Sequence, residues 1–332
     1  AYVTPTGGGE IVLGRGLAFR TSQSSVASLD QIVVAAGSNG SSITGCNFWF
    51  SPNAPAASPV LVGAGDIALC DSAGTPVAST RATAALLDAI PGTVFTTGDN
   101  AYNSGTPTEF QQCYDPTWGR HKTRTRPTPG NHEYGTSGAS GYFGYFGALA
   151  GDPGKGYYSY NLGQWHIIAL NSNCSALGNG STSAGCGSTS AQATWLQQDL
   201  AANAAGCTLA YWHHPRWSSG AHGSSTAMSA IWQMLYDAGA DVVLAGHDHN
   251  YERFAPLNGS GAVDTARGIR QFVVGTGGAA LRSVGTLLPT SERFHSSTHG
   301  VLKLTLHATS FDWQFVPAAG SSFTDQGSGT CH

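Results

Sequence analysis

Apolar and amphipathic segments alternate along the chain from residue 58 onward, and this alternation predicts the fold class. SPVLVGAGD and TVFTTGDN are short apolar runs that end in Gly-Asp, and TRATAALLDAI between them has helical spacing. Further along, CTLAYWHH and DVVLAGHDH are apolar runs that flank a second helical segment, MSAIWQMLYDAG. Buried strands that alternate with helices are typical of α/β proteins with parallel strand pairs.

Other segments indicate that the sheets are mixed. KGYYSYNLGQWHIIALNS alternates on both sides of Asn-Leu-Gly, which predicts an antiparallel hairpin. IRQFVVGTGG, GVLKLTLHA and FDWQFVP predict three more strands near the C-terminus. We therefore expect an α/β fold in which two mixed β-sheets pack face to face with flanking helices, a four-layer α/β/β/α sandwich.

Residues 1–57 have a different pattern, with short apolar runs separated by Gly and Ser turns. EIVLGRGLAF, DQIVVAAGS and CNFWF each predict a strand. A segment of this length is marginal for a core of its own. We expect a β-rich N-terminal extension that packs on a larger domain formed by residues 58–332.

The composition excludes two classes of partner. The net charge is −4, so the sequence offers no basic face for nucleic acid. No apolar run approaches the roughly 20 residues that a membrane-spanning helix needs. Charged residues make up only 10% of the chain, so we expect a surface built from Ser, Thr, Asn, Gln and Gly.

The cysteines and the first residues suggest the compartment. There are seven cysteines and no CxxC pair, which argues against a zinc ribbon and a thioredoxin-like redox pair. Cys174 and Cys186 bracket a loop without core-forming residues, so we expect a disulfide there, with Cys70–Cys113 as a second possible pair; one thiol at least is left free or intermolecular. The start AYVTPTGGGE has no initiator Met and no apolar leader, although a trimmed chain would look the same. Together these features predict a secreted protein.

Polar side chains follow five of the predicted strands, where ligand sites of open α/β sheets form. Each alone could be a helix cap or a turn, but the recurrence at five strand ends favours a metal site. The residues are Asp66; Asp99 and Asn100; Asn131, His132 and Glu133; His213 and His214; and His247 and His249. Carboxylate, amide and imidazole ligands without thiolate suit iron, manganese or zinc. One tetrahedral site needs only four ligands, and these residues supply more. We therefore expect two ions that share a carboxylate.

The order and spacing of these motifs resemble the calcineurin-like metallophosphoesterases, and the purple acid phosphatases in particular. The motifs are GD (65–66), GDNAY (98–102), GNHE (130–133), HHP (213–215) and GHDH (246–249), and the resemblance covers roughly residues 58–280. It implies that one metal is held by Asp66, Asp99, Tyr102 and His249. It implies that the second is held by Asp99, Asn131, His213 and His247, with Asp99 shared.

Tyr102 distinguishes this chain from most of the superfamily. The usual first motif is DxH, whose His binds the first metal, but here the third position is Ala68. The resemblance implies that the Tyr102 phenolate takes its place and holds Fe³⁺, with Fe²⁺, Zn²⁺ or Mn²⁺ at the Asn131 site. Residues 1–57 are too few for the fibronectin-like domain that precedes the catalytic domain of plant members.

The resemblance implies a phosphatase that hydrolyses small phosphate monoesters by in-line attack of a metal-bound hydroxide. His222 stands seven residues after Pro215, as in the mammalian-type enzymes, and we expect it to be the general acid. We expect His132 to contact a phosphoryl oxygen, with Glu133 orienting it or lying behind the ligands. We expect His214 to point away from the metals, since neighbours on an extended strand face opposite sides.

Two other functions are compatible with the same residues. A phosphodiesterase, for example one for cyclic nucleotides, would use the same dimetal centre, and the loops at residues 103–125 and 172–190 would decide between the two. A metal-binding or phosphate-binding module without catalysis is the third reading. Against it, every expected ligand and both candidate proton donors are present.

Overall fold

A computed structural model describes residues 58–203 and 205–332, together with the backbone of two short strands near the N-terminus. Those strands, β1 (Glu10–Leu13) and β2 (Leu17–Arg20), pair antiparallel. Contacts divide the chain into two units, Ala1–Ala57 and Ser58–His332. The predicted strands in DQIVVAAGS and CNFWF lie outside the described residues, and the packing of the extension on the larger unit stays a prediction.

The larger unit contains strands and helices in the order that the alternation predicts. Its strands are β3 (Val60–Ala64), β4 (Thr93–Thr97), β5 (Thr125–Thr128), β6 (Tyr158–Leu162), β7 (Trp165–Ala169), β8 (Cys207–Tyr211), β9 (Val242–Ala245), β10 (Tyr251–Leu257), β11 (Ile269–Val274), β12 (Ser291–His295), β13 (Gly300–Leu306), β14 (Ser310–Pro317) and β15 (Gln326–Thr330). Its α-helices are α1 (Ala78–Ala89), α2 (Pro107–Glu109), α3 (Ser140–Phe146), α4 (Cys174–Leu177), α5 (Thr182–Cys186), α6 (Ala191–Ala202) and α7 (Ser229–Asp237). Short 3₁₀ or π turns occupy Phe110–Tyr114, Trp118–Arg124, Glu133–Gly135, Ser137–Ala139 and Gly147–Ala150.

The strands form two mixed sheets, which confirms the predicted fold class. The six-stranded sheet has the order β15-β14-β13-β3-β4-β5, in which β3, β4 and β5 are parallel. The seven-stranded sheet has the order β12-β10-β11-β9-β8-β7-β6, in which β7, β8, β9 and β11 are parallel. The hairpin expected around Asn-Leu-Gly is the antiparallel pair β6–β7.

Alternate residues of the central strands face two different hydrophobic cores. Leu209 on β8 belongs to the core that also contains Leu61 and Phe95 of the six-stranded sheet, so this core lies between the sheets. Its neighbour Ala210 belongs to the second core, with Leu196 of α6 and other helix residues. The period of two along a strand therefore gives the seven-stranded sheet one face toward the other sheet and one toward helices.

Three disulfides link loops and termini of the larger unit. Cys174–Cys186 joins α4 to α5 as predicted, and Cys70–Cys113 is the second pair that the sequence suggested. Cys207–Cys331 spans a sequence separation of 124, which no local pattern indicates. Cys46 lies outside the described residues. Within residues 58–203 and 205–332, no helix combines the length and apolar character that crossing a membrane requires.

Candidate metal centre

The predicted ligands follow the carboxyl ends of strands from both sheets. Asp66, Asp99 and Asn131 follow the parallel strands β3, β4 and β5, while His213 and His247 follow β8 and β9. The His213 ring, which comes from the seven-stranded sheet, contacts the backbone of β4: its Nδ1 lies 2.8 Å from the carbonyl oxygen of Thr97. The two sheets therefore bring their strand ends to one place.

The backbone at three of these positions is in the left-handed region. The φ angles are 58° at Asp66, 49° at Asp99 and 68° at His247, and each residue follows a glycine. A non-glycine residue in this conformation costs about 1–3 kcal/mol and persists only where the surroundings hold it. Gly98 is the residue before Asp99, and a Cβ atom there would lie 2.7 Å from His213 Nδ1. The absence of a side chain at Gly98 therefore allows the His213 ring to approach this backbone closely. This strain is concentrated at the predicted ligands.

Four of the predicted ligands form a first group around the Tyr102 hydroxyl. The hydroxyl oxygen lies 2.9 Å from Asp66 Oδ1, 3.0 Å from Asp99 Oδ2 and 3.2 Å from His249 Nε2. His249 Nε2 is itself 3.3 Å from Asp66 Oδ1. Ala68, at the position of the missing histidine, is completely buried and leaves this space to Tyr102.

A second group surrounds the Nε2 atom of His213. This atom lies 2.9 Å from Asn131 Oδ1, 3.1 Å from His247 Nδ1 and 3.3 Å from Asp99 Oδ2. Asp99 Oδ2 is therefore close to both groups. The structure brings together all seven predicted ligands, with Asp99 between the two groups.

The donor atoms of both groups fit a bound cation. His213 Nδ1 and His249 Nδ1 each face a backbone carbonyl oxygen, of Thr97 at 2.8 Å and of Ala280 at 2.7 Å. A carbonyl oxygen only accepts, so both imidazoles carry a proton on Nδ1 and, when neutral, turn the lone pair of Nε2 toward the carboxylates. Facing lone pairs repel unless a proton or a cation lies between them. Imidazoles held in this way through the distant nitrogen are typical of metal ligands.

The pKa shifts of the protein without metal show how strongly the site attracts positive charge. Burial lowers the pKa of His213, but the Asp99 carboxylate outweighs it and raises that pKa to about 9. Burial, followed by the charges of Asp66 and Asp99, raises the pKa of Tyr102 well above its usual range. Burial and then the charge of His213 lower the pKa of His247. The buried carboxylates thus require a positive charge beside them, either a proton or a metal ion.

His132 and Glu133 follow Asn131, and His132 is partly exposed whereas Glu133 is buried. His132 Nδ1 is 2.6 Å from the carbonyl oxygen of Asn103, and its Nε2 is 3.7 Å from Asp99 Oδ2. Its side chain is 34% exposed, so its ring is accessible beside the centre.

Glu133 is fully buried, and its carboxylate accepts backbone N–H groups from the loops that carry the ligands. The donors are Asn100 at 2.8 Å, Ala101 at 3.2 Å and Gly130 at 2.6 Å. Burial and the nearby Asp99 charge raise the pKa of Glu133 to about 7. No hydrogen bond joins Glu133 to His132 among the described residues, so of its two expected positions the structure shows the one behind the ligands.

His222 returns to the site, and its ring packs against that of a predicted ligand. Its ring centroid is 4.3 Å from that of His247, and its Nδ1 is 3.1 Å from Asp248 Oδ1. The buried Asp248 also accepts the backbone N–H of His222 and the hydroxyl of Ser218. Asp248 was missed in the sequence analysis, although it lies between the two histidines of GHDH.

The expectation that His214 points away from the metals is wrong. Strand β8 ends at Tyr211, two residues before His213, and the chain bends at 213–214. Because the backbone is not extended there, neighbouring side chains need not alternate. The His214 ring centroid lies 4.9 Å from that of His213 and 4.4 Å from that of His247. Burial, followed by the charge of His213, lowers the pKa of His214 to about 3.

Sequence comparison agrees with this geometry. The model of the calcineurin-like phosphoesterase family matches residues 62–251, more than half of the chain, and the protein therefore belongs to this family. Membership of the family implies that the protein holds two metal ions, and its buried Asp and His side chains could bind them. The predicted resemblance to this superfamily is confirmed.

Individual relatives include purple acid phosphatases. The chain is 32% identical to purple acid phosphatase 21 of Arabidopsis thaliana over 182 residues, which are 51% of this chain and 39% of that protein. It is 26% identical over 200 residues to acid phosphatase A of Cryphonectria parasitica, covering 54% of this chain and 39% of that protein. The structure of a purple acid phosphatase from yellow lupin (Lupinus luteus) seeds matches with a TM-score of 0.66 and 18% identity, covering 82% of this chain and 53% of that one. The chain thus spans about two fifths of the length of these curated relatives.

Proposed function

We propose that this protein is a secreted dimetal phosphatase that hydrolyses small phosphate monoesters, as purple acid phosphatases do. The observation that carries the proposal is the position of Asp99 between two groups of ligand atoms, one of which contains a tyrosine hydroxyl. The three disulfides support a secreted protein, since such bonds persist in oxidising compartments.

Each group of ligands would hold one ion. Asp66, Asp99, Tyr102 and His249 would hold Fe³⁺, because phenolate is a hard anionic donor. Asp99, Asn131, His213 and His247 would hold Fe²⁺, Zn²⁺ or Mn²⁺, which accept mixed nitrogen and oxygen ligands. When bound, two such ions lower the pKa of water and neutralise the charge of a phosphoryl group.

The remaining chemistry falls to side chains beside the ligands. The departing alkoxide needs a proton, and His222 would donate it, with Asp248 orienting the imidazole through Nδ1. His132, held through Nδ1 by Asn103, can donate a hydrogen bond from Nε2 to a phosphoryl oxygen when it is protonated. Glu133 positions the loops that carry Asp99 and Asn131 and does not act on the substrate itself.

The proposal is tested by comparing a monoester with a diester on the metal-loaded protein. We expect kcat/KM for p-nitrophenyl phosphate to exceed that for bis(p-nitrophenyl) phosphate. A preference for the diester, or for cyclic nucleotides, would make the protein a phosphodiesterase. If protein with two metals per chain hydrolysed neither ester, a metal-binding or phosphate-binding module without catalysis would be the better description.

A further inference from the structure

A cavity of about 730 Å³ opens beside the candidate metal centre, a size within the range of small-molecule sites. We call it the side cavity. Three of its lining residues are His214, His222 and His247, of which His247 is also a predicted ligand. The alcohol half of an ester whose phosphate is held at the centre therefore has this cavity next to it.

One wall of the side cavity belongs to the segment that the disulfide Cys174–Cys186 closes into a loop. Thr182, Ser183 and Cys186 of α5 and Gly187 after it line the cavity there. The Thr182 hydroxyl lies 3.2 Å from the Ser175 hydroxyl. The Ser183 hydroxyl, by contrast, has no hydrogen-bond partner within residues 58–203 and 205–332 and is exposed.

The other wall is the segment from residue 223 to the start of α7. The backbone N–H of Ser225 donates to the Pro215 carbonyl oxygen at 2.9 Å, and the Ser229 hydroxyl donates to the Thr226 carbonyl oxygen at 2.7 Å. These bonds fix the wall but leave the side-chain hydroxyls of Ser225 and Thr226 without a partner in the described part of the chain. Both walls therefore carry hydroxyl groups that have no partner within the described residues.

The lining residues, all of which are described, include no Lys, Arg, Asp or Glu and no Phe, Tyr or Trp. A leaving group with several phosphates would find no Lys or Arg there to pair with its charge. A nucleobase or an aryl ring would find no Phe, Tyr or Trp ring to stack on, since the only rings in the lining are the three imidazoles. A hydroxyl-bearing aliphatic group, however, could exchange hydrogen bonds with Ser183, Ser225 and Thr226 without burying a charge.

His214 adds one more polar contact to the cavity. The Ser172 hydroxyl accepts the backbone N–H of His214 at 2.9 Å and lies 2.8 Å from its Nδ1. Because the hydroxyl has its own proton to donate, this arrangement fits a neutral imidazole that accepts at Nδ1 and carries its proton on Nε2. That N–H would then be a further donor to the alcohol.

We propose that the side cavity selects monoesters whose alcohol half is an uncharged, hydroxyl-bearing aliphatic chain or ring, such as a polyol or sugar monophosphate. This inference rests on the proposed phosphatase function. Ser225 and Thr226 are the specificity-determining residues on one wall, and Ser183 and His214 complete the set.

The test compares the S225A/T226V variant with the wild type and with a matched control, S188A/T189V. The control makes the same two changes at exposed residues that do not line the cavity. For each metal-loaded protein, kcat/KM is measured on glucitol 6-phosphate, p-nitrophenyl phosphate, AMP and phytate. We expect the ratio of glucitol 6-phosphate to p-nitrophenyl phosphate to fall about tenfold in S225A/T226V, since two hydrogen bonds are lost, and to stay within twofold in S188A/T189V.

The outcomes separate this inference from the proposed function. If the wild type hydrolyses the esters but prefers AMP or phytate, or if both double variants change the ratio equally, the selective role of the cavity is refuted. If the wild type hydrolyses none of them, the phosphatase proposal fails instead. In that case calorimetry with the non-hydrolysable phosphonate analogue of glucitol 6-phosphate still tests the cavity, because its Kd should rise about tenfold in S225A/T226V alone; an unchanged Kd would refute the inference.

Discussion

The candidate metal centre and the side cavity lie next to each other, but they are built from different parts of the chain. The centre consists of buried side chains at the ends of strands from both sheets, and Asp66, Asp99 and His213 are almost completely inaccessible. The side cavity is lined by three histidines and by small residues of two segments, of which Ser and Thr are the most frequent. Functional groups on strand ends are positioned more exactly than groups on loops, which vary more easily.

This difference separates chemistry from selectivity. At the centre, ligands in left-handed backbone and close-packed glycines leave no freedom for substitution, so a change there should abolish the reaction. In the cavity, a lost hydroxyl should change only which ester is preferred. Four variants test this division, beginning with the one that should have the largest effect on turnover.

Replacing His213 with Ala should reduce turnover the most. The second group of ligands is centred on His213 Nε2, so the variant should retain about one metal per chain. Its activity on p-nitrophenyl phosphate should fall by more than the about 10²–10⁴-fold that a proton donor contributes, because the second metal site itself is lost. Metal analysis and turnover are measured together, and two metals per chain in H213A would contradict the ligand assignment.

Replacing His222 with Asn should reduce turnover while both metals remain. The loss should be about 10²–10⁴-fold for an alkyl phosphate, whose leaving oxygen needs a proton. It should be much smaller for p-nitrophenyl phosphate, whose leaving group is a weak base. H307N is the matched control, since His307 contacts Ser58 and Asp312 and none of the predicted ligands. Equal losses on the two esters would argue against His222 as the proton donor.

Replacing Glu133 with Gln should have an intermediate effect. The carboxylate accepts three backbone N–H groups, and an amide turns donors toward some of them. Groups that orient ligands typically account for 10–100-fold in metal affinity or activity, so we expect a loss of about that size. The free energy of unfolding in urea should fall by about 1–3 kcal/mol. A large loss of turnover with unchanged metal affinity and stability would instead place Glu133 in the chemistry.

The C174S/C186S double variant should affect turnover least. Closing a loop of this length stabilises a fold by about 3 kcal/mol in the chain-entropy model, so the urea midpoint should fall. Both metals should remain. The preference for a hydroxylated alcohol should weaken, because the segment that this disulfide holds in place forms one wall of the cavity. C70S/C113S is the control for the loss of a disulfide elsewhere. A loss of metal in C174S/C186S alone would show that the two regions are not independent.

The same division explains what could be predicted from the sequence. Strand-end motifs such as GDNAY and GHDH follow apolar runs directly, so their positions in the fold can be inferred from the alternation of strands and helices. All seven predicted ligands accordingly lie in the two groups. Strands β3, β4, β8 and β9 were predicted for the same reason, since buried parallel strands are continuous apolar runs.

What depends on distant contacts or on bends could not be predicted. Cys207–Cys331 joins residues far apart in sequence, and edge strands β12 and β15 are exposed and carry no apolar alternation. The position of His214 depends on the bend after β8, where the prediction assumed an extended strand. The side cavity is formed by two segments whose residues, mostly Ser, Thr, Gly and Ala, look like ordinary surface in the sequence.

The most direct test of the dimetal centre combines metal analysis with the visible spectrum of the wild type and the Y102F variant. The wild type should contain two metals per chain, including iron, and show a ferric–phenolate absorption band, because the Tyr102 oxygen lies among Asp66, Asp99 and His249. Y102F should lose the band while the second metal remains. Two colourless metals in the wild type, or a band that persists in Y102F, would contradict the assignment of Tyr102 and of iron to this centre.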